Sequence, residues 1–372
     1  MKIKVNRESF QKVFQIASAV APARSPKTIL QNIKLDVSDS ETVLTATDME
    51  VGVRLFVPDV EVEAEGSAVI PVSRLNMILR ESNDDLLSIE ADPEKTLVTG
   101  QNSRFELAAH NPDEFPEVAQ FDEQDYFEVT ASVLKEMIKR TLFATDAESS
   151  RYALGGVLLE VEEENIIAVG TDGRRLATMQ GSMKRVGNPA TGTTTTIVPS
   201  RAMQLIERLI PDGDSVVQIA PRANDLLVKE SNSVFYTRLV EGRFPKWRDV
   251  LPDRQETNRI DIPVGPMYSA LRQAAIVASE ESRGIDFTFN NGTLVLSNST
   301  AEVGQSRIEM PVPFDSDELT ITLDHRYVAD FLKVLQPDKT FTFDVENGEQ
   351  AAYCQTDDNY GYVIMPLSKD RR

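Results

Sequence analysis

Apolar residues fall at helical spacing in three places along the chain, and each time the pattern then changes to strict alternation. Phe10, Val13, Phe14, Ala17 and Val20 form the first set, Val133, Leu134, Met137, Ile138 and Leu142 the second, and Met267, Leu271, Ala274, Ala275 and Val277 the third. Each set predicts an amphipathic helix with one buried face. Alternating runs follow: Ile33 to Val37 and Val43 to Thr47, Val157 to Val161 and Ile166 to Gly170, Ile285 to Phe289 and Leu294 to Ser297. Turn residues such as Ser38-Asp39-Ser40, Asn188-Pro189 and Asn290-Asn291-Gly292 punctuate them, which predicts hairpins. A second helix then starts directly after a short β run, at Val69-Ile70-Pro71-Val72-Ser73-Arg74, at Ile197-Val198-Pro199-Ser200-Arg201 and at Ile321-Thr322-Leu323-Asp324-His325-Arg326. The predicted helices are 7–20, 73–81, 132–143, 200–210, 266–282 and 324–335.

The pattern is a repeat. Its offset is 124 residues at Thr47-Asp48 against Thr171-Asp172 and 127 at Ser73-Arg74 against Ser200-Arg201, with Ser297-Asn298 in the third position. A unit this long is a whole domain rather than a solenoid turn. The fold class is therefore α+β: three tandem domains, each with two helices packed on antiparallel sheets. Short polar or acidic stretches near Gln120–Asp125 and Asp253–Asn258 place the domains at 1–122, 123–255 and 256–372, joined stiffly. The first two copies end alike, in Asn111-Pro112-Asp113-Glu114-Phe115-Pro116-Glu117 and Glu241-Gly242-Arg243-Phe244-Pro245-Lys246-Trp247. The third ends in Tyr362-Val363-Ile364-Met365-Pro366-Leu367, an apolar tail that marks the C-terminus as a place for a site.

Composition narrows the function. Apolar content of 41% with 18 Gly and 19 Pro is that of a folded chain. An N-terminus without an apolar signal region, the lack of a membrane-length apolar stretch and a single cysteine, Cys354, predict a cytoplasmic protein with no disulfide and no membrane contact. The net charge of −20 argues against nucleic acid until its distribution is considered. The six helix windows hold twelve basic and eight acidic residues, so they carry +4 while the rest of the chain carries −24.

Catalytic chemistry is missing from the pattern. There is no phosphate-binding glycine loop, no dinucleotide fingerprint and no Cys/His cluster of metal spacing, so no cofactor and no metal is expected. His325 opens a helix, where a capping or surface role suffices, and Cys354 lies in a β-like run as a buried thiol. The most specific short motif is Thr171-Asp172-Gly173-Arg174-Arg175-Leu176: a tight turn in which Asp-Gly supplies positive φ, followed at once by two arginines that the matching Thr47-Asp48-Met49-Glu50 lacks.

The three repeats, that turn, the Glu241-Gly242-Arg243-Phe244-Pro245…Val250-Leu251-Pro252 segment and the terminal Met365-Pro366 together resemble the bacterial sliding clamp, the β subunit of the replicative DNA polymerase. The resemblance spans the whole chain. It implies a non-catalytic processivity factor: a head-to-tail homodimer forming a closed six-domain ring around double-stranded DNA, held by topology and without sequence readout. It implies DNA-facing residues Arg24, Arg74, Arg80, Lys139, Arg151, Tyr152, Arg201 and Arg272. It implies a dimer contact of Phe105 and Leu107, on a late strand of copy one, with Ile276 and Val277, on the first helix of copy three. It also implies a cleft for short linear peptides of the polymerase catalytic subunit, an ATP-driven clamp loader, repair polymerases and mismatch-repair proteins, built from Leu154, Thr171, Gly173, Arg174, Arg175, Leu176, Pro245, Val250, Tyr327, Val363, Met365, Pro366 and Leu367. Two departures stand out: the chain runs on past Met365-Pro366 as Ser368-Lys369-Asp370-Arg371-Arg372, and Arg174 beside Arg175 makes the rim more basic, favouring acidic ligand residues. Two other readings are a peptide-binding scaffold of the same domains that does not encircle DNA, and an enzyme whose site lies between domains without a motif. Neither accounts for basic helices in a chain of charge −20.

Overall fold

The computed structural model describes residues 1–146, 152–189, 196–251, 258–279, 283–300 and 303–367. Copy one consists of β1 (Lys2–Asn6), α1 (Arg7–Val20), β2 (Asn32–Val37), β3 (Thr42–Thr47), β4 (Val51–Phe56), β5 (Val60–Ala64), β6 (Gly66–Pro71), α2 (Val72–Glu81), β7 (Leu86–Ala91), β8 (Lys95–Thr99) and β9 (Arg104–Ala108). Copy two repeats that order with β10 (Tyr126–Thr130), α3 (Ala131–Thr141), β11 (Gly156–Glu162), β12 (Asn165–Thr171), β13 (Arg175–Ser182), β14 (Lys184–Val186), β15 (Ile197–Pro199), α4 (Ser200–Leu209), β16 (Val216–Pro221), β17 (Asp225–Glu230) and β18 (Ser233–Arg238). Copy three follows with β19 (Asn258–Pro263), α5 (Val264–Ala274), β20 (Gly284–Asn290), β21 (Thr293–Thr300), β22 (Gly304–Pro311), β23 (Leu319–Asp324), α6 (His325–Lys333), β24 (Thr340–Val345), β25 (Ala352–Gln355) and β26 (Tyr360–Ile364).

Local chemistry sets the helix ends. Asn6 caps α1 by accepting the Ser9 N–H at 3.0 Å, Phe10, Phe14, Ala17 and Val20 form its buried face, and the helix stops at Ala21, which precedes Pro22. Asp324 caps α6 in the same way through the Arg326 N–H at 2.9 Å, so His325 is the first helical residue rather than the cap. The third copy departs from expectation twice. α5 ends at Ala274, not 282, and a 3-10 turn, Ala275–Val277, follows. The hydroxyls of Ser306 and Thr300 donate to the carbonyls of Ala274 and Val277, both at 2.8 Å, and so satisfy groups that would otherwise continue the helix. Ser297-Asn298 is not a turn but lies within β21, which runs on to Thr300.

The chain divides into two compact units, Met1–Leu134 with Met183–Thr191 and Arg201–Leu239, and Lys135–Ser182 with Gly192–Ser200 and Val240–Arg372. The division cuts through copy two because sheets run across the repeats. In the first unit a nine-stranded sheet has the order β14-β10-β16-β17-β18-β4-β3-β2-β6, with Phe235 of β18 opposite Val53 of β4; a five-stranded sheet has the order β5-β1-β7-β8-β9. In the second an eight-stranded sheet has the order β15-β11-β12-β13-β26-β25-β24-β19, with Leu176 opposite Val363, and a four-stranded sheet the order β22-β21-β20-β23. Helices α1 and α2 pack together in the first unit, α5 and α6 in the second. Among the described residues no helix is long and apolar enough to cross a membrane.

Candidate partner-binding cleft and nucleic-acid interface

The turn between β12 and β13 is built by its own side chains. The Thr171 hydroxyl donates to the Arg175 carbonyl at 2.6 Å and accepts the Gly173 N–H at 3.1 Å, while Asp172 Oδ1 accepts the N–H groups of Arg174 and Arg175 at 2.8 and 3.0 Å. Gly173 sits at φ +85°, and a Cβ there would meet nothing within 4 Å, so the glycine serves the backbone and not the space. β13 then pairs with β26, and the Met365 N–H reaches the Arg174 carbonyl at 2.9 Å, carrying the C-terminal tail along the turn. The Leu367 N–H donates to the Thr322 carbonyl at 2.9 Å, and a Cβ on Gly284 would come within 3.3 Å of the Leu367 side chain.

Beneath this edge lies an apolar floor of Leu158, Ile167, Val169, Leu176, Ile197, Phe244, Trp247, Tyr353 and Val363. The segment after β18 supplies one wall: Phe244 and Trp247 point into the floor, while Pro245 and Val250 stay exposed. Leu154, Thr171, Leu176 and Val363 are buried, Tyr327, Pro366 and Leu367 half-buried, and Gly173, Arg174 and Met365 exposed. All thirteen expected cleft residues thus lie in one unit.

Arg175 corrects the expectation of a doubly basic rim. Its guanidinium, only 10% exposed, donates to Asp172 at 3.0 Å, to Asp330 of α6 at 2.8 Å and to the Phe143 carbonyl at 2.7 Å, and lies over the Tyr327 ring at 4.5 Å. Burial works against its charge, but Tyr362, Asp330 and Asp172 more than offset this and raise its pKa. Two carboxylates neutralise this charge, so of the two neighbouring arginines Arg174 is the exposed one. Tyr362 stacks on Phe331 at 5.1 Å and donates to the Tyr327 carbonyl at 3.0 Å, fixing the start of α6 against β26.

The other expected residues are distributed over both units. Arg24, Arg74, Arg80, Lys139, Arg201 and Arg272 are all exposed; Arg151 lies outside the described residues, and Tyr152 opens the 3-10 turn Tyr152–Leu154. Arg80 is paired with Glu81 at 2.8 Å, Lys139 with Glu136 at 3.8 Å and Arg201 with Asp48. The observed helix bounds keep all twelve basic residues but only Glu8, Glu81, Glu136, Glu207 and Asp330, so the helices carry +7. Phe105 and Leu107 lie on β9, an edge strand, beside a cavity of about 560 Å3 between α2 and β9 that Met77 and Ile78 also line. Ile276, 76% exposed, and Val277 lie not on the α5 helix but on the 3-10 turn after it, next to the edge strand β22. Cys354 is buried, and burial raises its thiol pKa, which leaves it inert. Among the described residues no group of three or more His, Cys, Asp or Glu side chains could hold a metal ion.

Three family profiles cover nearly all of the chain: the DNA polymerase III beta subunit N-terminal domain over residues 1–119, its central domain over 128–246 and its C-terminal domain over 248–368. The chain belongs to the bacterial sliding-clamp family. The beta sliding clamp of Pseudomonas putida is 29% identical over 375 residues, covering 99% of this chain and 100% of its own. A crystal structure of the Pseudomonas aeruginosa clamp bound to griselimycin is 28% identical with a TM-score of 0.91, each chain covered to 99%. That of the Bartonella birtlesii clamp bound to griselimycin is 25% identical with a TM-score of 0.89, covering 99% of this chain and 100% of that one. The protein is thus three tandem clamp domains, a non-catalytic subunit that pairs with itself, with DNA and with a DNA polymerase.

Several groups that shape the clamp escaped the sequence. Arg140, buried on α3, binds Glu136 at 2.6 Å and Asp358 at 2.7 Å and lies over Tyr360 at 5.1 Å, tying α3 to the turn before β26. Asp330 and Glu160 hold cleft elements from other strands and helices. Their partners are 155 and 87 residues away in sequence, and no periodicity signals such pairs. Copy one repeats the turn itself: Thr47 and Asp48 make the same four bonds, and Met49 takes φ +81° where copy two has Gly173.

Proposed function

We propose that two chains close head to tail into a six-domain ring that encircles duplex DNA and tethers the replicative polymerase. The repeats 1–122, 123–255 and 256–372 are its domains. The observation that carries this reading is the segregation of charge: +7 on six helices within a chain of −20. Arg24, Arg74, Arg80, Lys139, Arg151, Tyr152, Arg201 and Arg272 face the phosphates, and long cationic side chains reaching through water hold a duplex without reading bases. The acidic remainder keeps DNA off the outer surface. β9 of one chain pairs with β22 of the other, and Ile276 and Val277 enter the cavity beside Phe105 and Leu107. This joins two unpaired sheet edges and covers an apolar residue that is exposed in the single chain.

The floor beneath Arg174 and Met365 receives short linear peptides from the polymerase catalytic subunit, an ATP-driven clamp loader, repair polymerases and mismatch-repair proteins, in the cytoplasm. Apolar walls take aliphatic or aromatic anchors, Met365 adapts to their shape, and Arg174 favours an acidic neighbour. The test is retention on nicked circular DNA after loading by a cognate loader with ATP, followed by a single restriction cut. Loss from the linear form but not from the circle is expected. Equal retention on both would mean ordinary binding, and retention on neither would leave a peptide-binding scaffold.

A further inference from the structure

The chain's single tryptophan stands in the cleft wall, and one carboxylate holds it there. Glu160 of β11 accepts the Trp247 indole N–H at 3.1 Å and the Arg248 guanidinium at 2.8 Å with the same oxygen, Oε2. Arg248 in turn lies 4.1 Å over the Trp247 ring and pairs with Glu162. Glu160 is 12% exposed and Trp247 8%, so the indole bond forms largely out of water, where it is stronger than at an open surface, while Arg248 is 43% exposed. The 3-10 turn Trp247–Val250 carries Val250 at its end, and Pro245 lies just before it; both are exposed on the same segment. Arg248 adds its ion pair with Glu162, also on β11, and Phe244 and Trp247 belong to the buried apolar cluster that includes Leu176 and Val363.

We propose that Glu160 is a positioning residue for partner peptides: it touches no ligand, but sets the height and tilt of the wall formed by Pro245 and Val250. The proposal rests on the reading of this region as the peptide cleft. Apolar anchoring depends on close packing, so a wall released from the sheet loses contact with the ligand even though every lining side chain remains. It follows that Trp247 reports on the wall. Its emission depends on the indole hydrogen bond and on burial, and occupation of the cleft changes both.

Griselimycin, the ligand carried by two of the related clamps, is the probe. Its affinity is measured by calorimetry for the full-length wild type, Glu160→Ala, Glu160→Gln and Met365→Ala, together with Trp247 emission and the solution mass of each. Glu160→Ala is expected to weaken binding about tenfold, the scale of one lost charge-assisted bond, and to shift Trp247 emission in the free protein, while the mass stays that of wild type. Glu160→Gln keeps an acceptor for the indole and is expected to recover most of the affinity. Should Glu160→Ala fold poorly, Arg248→Met, which leaves Glu160 to the indole, provides the second variant, with a smaller loss expected. Wild-type affinity in Glu160→Ala, alongside weakened binding in Met365→Ala, would overturn the positioning role and leave the cleft standing. Unchanged binding in Met365→Ala, or none by the wild type, would remove the cleft and the proposal with it.

Discussion

Ile276→Ala separates the assembly from the fold, because the side chain is 76% exposed in the single chain and contributes little to its core. The substitution removes three carbons, which at about 0.8 kcal/mol per buried CH2 gives about 2 kcal/mol once incomplete burial in the joint is allowed for. A head-to-tail ring of two chains has two identical joints, so one substitution acts twice, and the loss is about 4 kcal/mol per dimer. That corresponds to a dissociation constant about a thousandfold higher. Sedimentation equilibrium over a dilution series measures it directly. The denaturant midpoint of the chain, read below the dissociation constant, is expected to stay within about 0.5 kcal/mol of wild type, as for surface changes generally. A dissociation constant raised by less than tenfold would refute the placement of Ile276 in the joint. A loss of chain stability comparable to the loss in dimer would show instead that the 3-10 turn belongs to the core of its own unit. Val277, already half-buried, is a poorer choice, since its truncation mixes the two effects.

Arg175→Ala is expected to cost about 3–5 kcal/mol, since it leaves Asp172 and Asp330 facing an empty site; urea unfolding measures it, and a loss under 1 kcal/mol would reject a structural role for the guanidinium. Removing Met365 and everything after it is expected to abolish polymerase stimulation while the mass remains dimeric, and stimulation at the wild-type level would remove the tail from the cleft. Burial opposes ionisation of Asp324, but the side chain and N–H of Arg326 outweigh it and hold its carboxyl below the usual range. A lowered folded-state pKa means stability present above the unfolded value, near pH 4, and lost as pH falls through the folded one. Asp324→Asn is therefore expected to flatten the acid limb of a stability-against-pH curve, and an unchanged limb would count against this cap.

How much of this was legible depended on how local each cause was. α1 came out residue for residue, because Asn6, the Phe10–Phe14–Ala17 face and Pro22 all act within one helix length. α5 did not: Ile276 and Val277 continue its apolar period, and only the hydroxyls of Thr300 and Ser306, which arrive from β21 and β22, show where the helix ends. Ser297 and Asn298 look like the third Thr-Asp turn by position, yet strand pairing with Arg307 and Ser306 overrides the likeness. The expected cleft residues came from the resemblance, anchored on the distinctive Gly173 turn and the terminal Met365-Pro366, and they fall in one unit. The pairing of Arg175 was not legible, since one of its two carboxylate partners, Asp330, stands 155 residues away.

The two Thr-Asp turns share a backbone frame and differ in what surrounds it. In copy one the Arg238 N–H reaches the Glu50 carbonyl at 2.9 Å, the same bond that Met365 makes to Arg174 in the second unit. The backbone frame is therefore the same, and the difference lies in what decorates it. Asp48 is taken by Arg201, Arg238 pairs with Glu50 at 3.4 Å, and the Val118 side chain sits so close over Gly52 that a Cβ there would meet it at 2.7 Å. Charges are paired across the turn and an aliphatic side chain already fills the space beside it. In copy two the corresponding aspartate is satisfied from within by Arg175, which leaves Arg174 free, and Met365 replaces Arg238 where the chain leaves the sheet. On the proposed reading, one backbone frame covered by Arg201, Arg238 and Val118 in copy one and carrying exposed Arg174 and Met365 in copy two concentrates partner binding at a single place per chain, so that a ring of two chains presents two such sites.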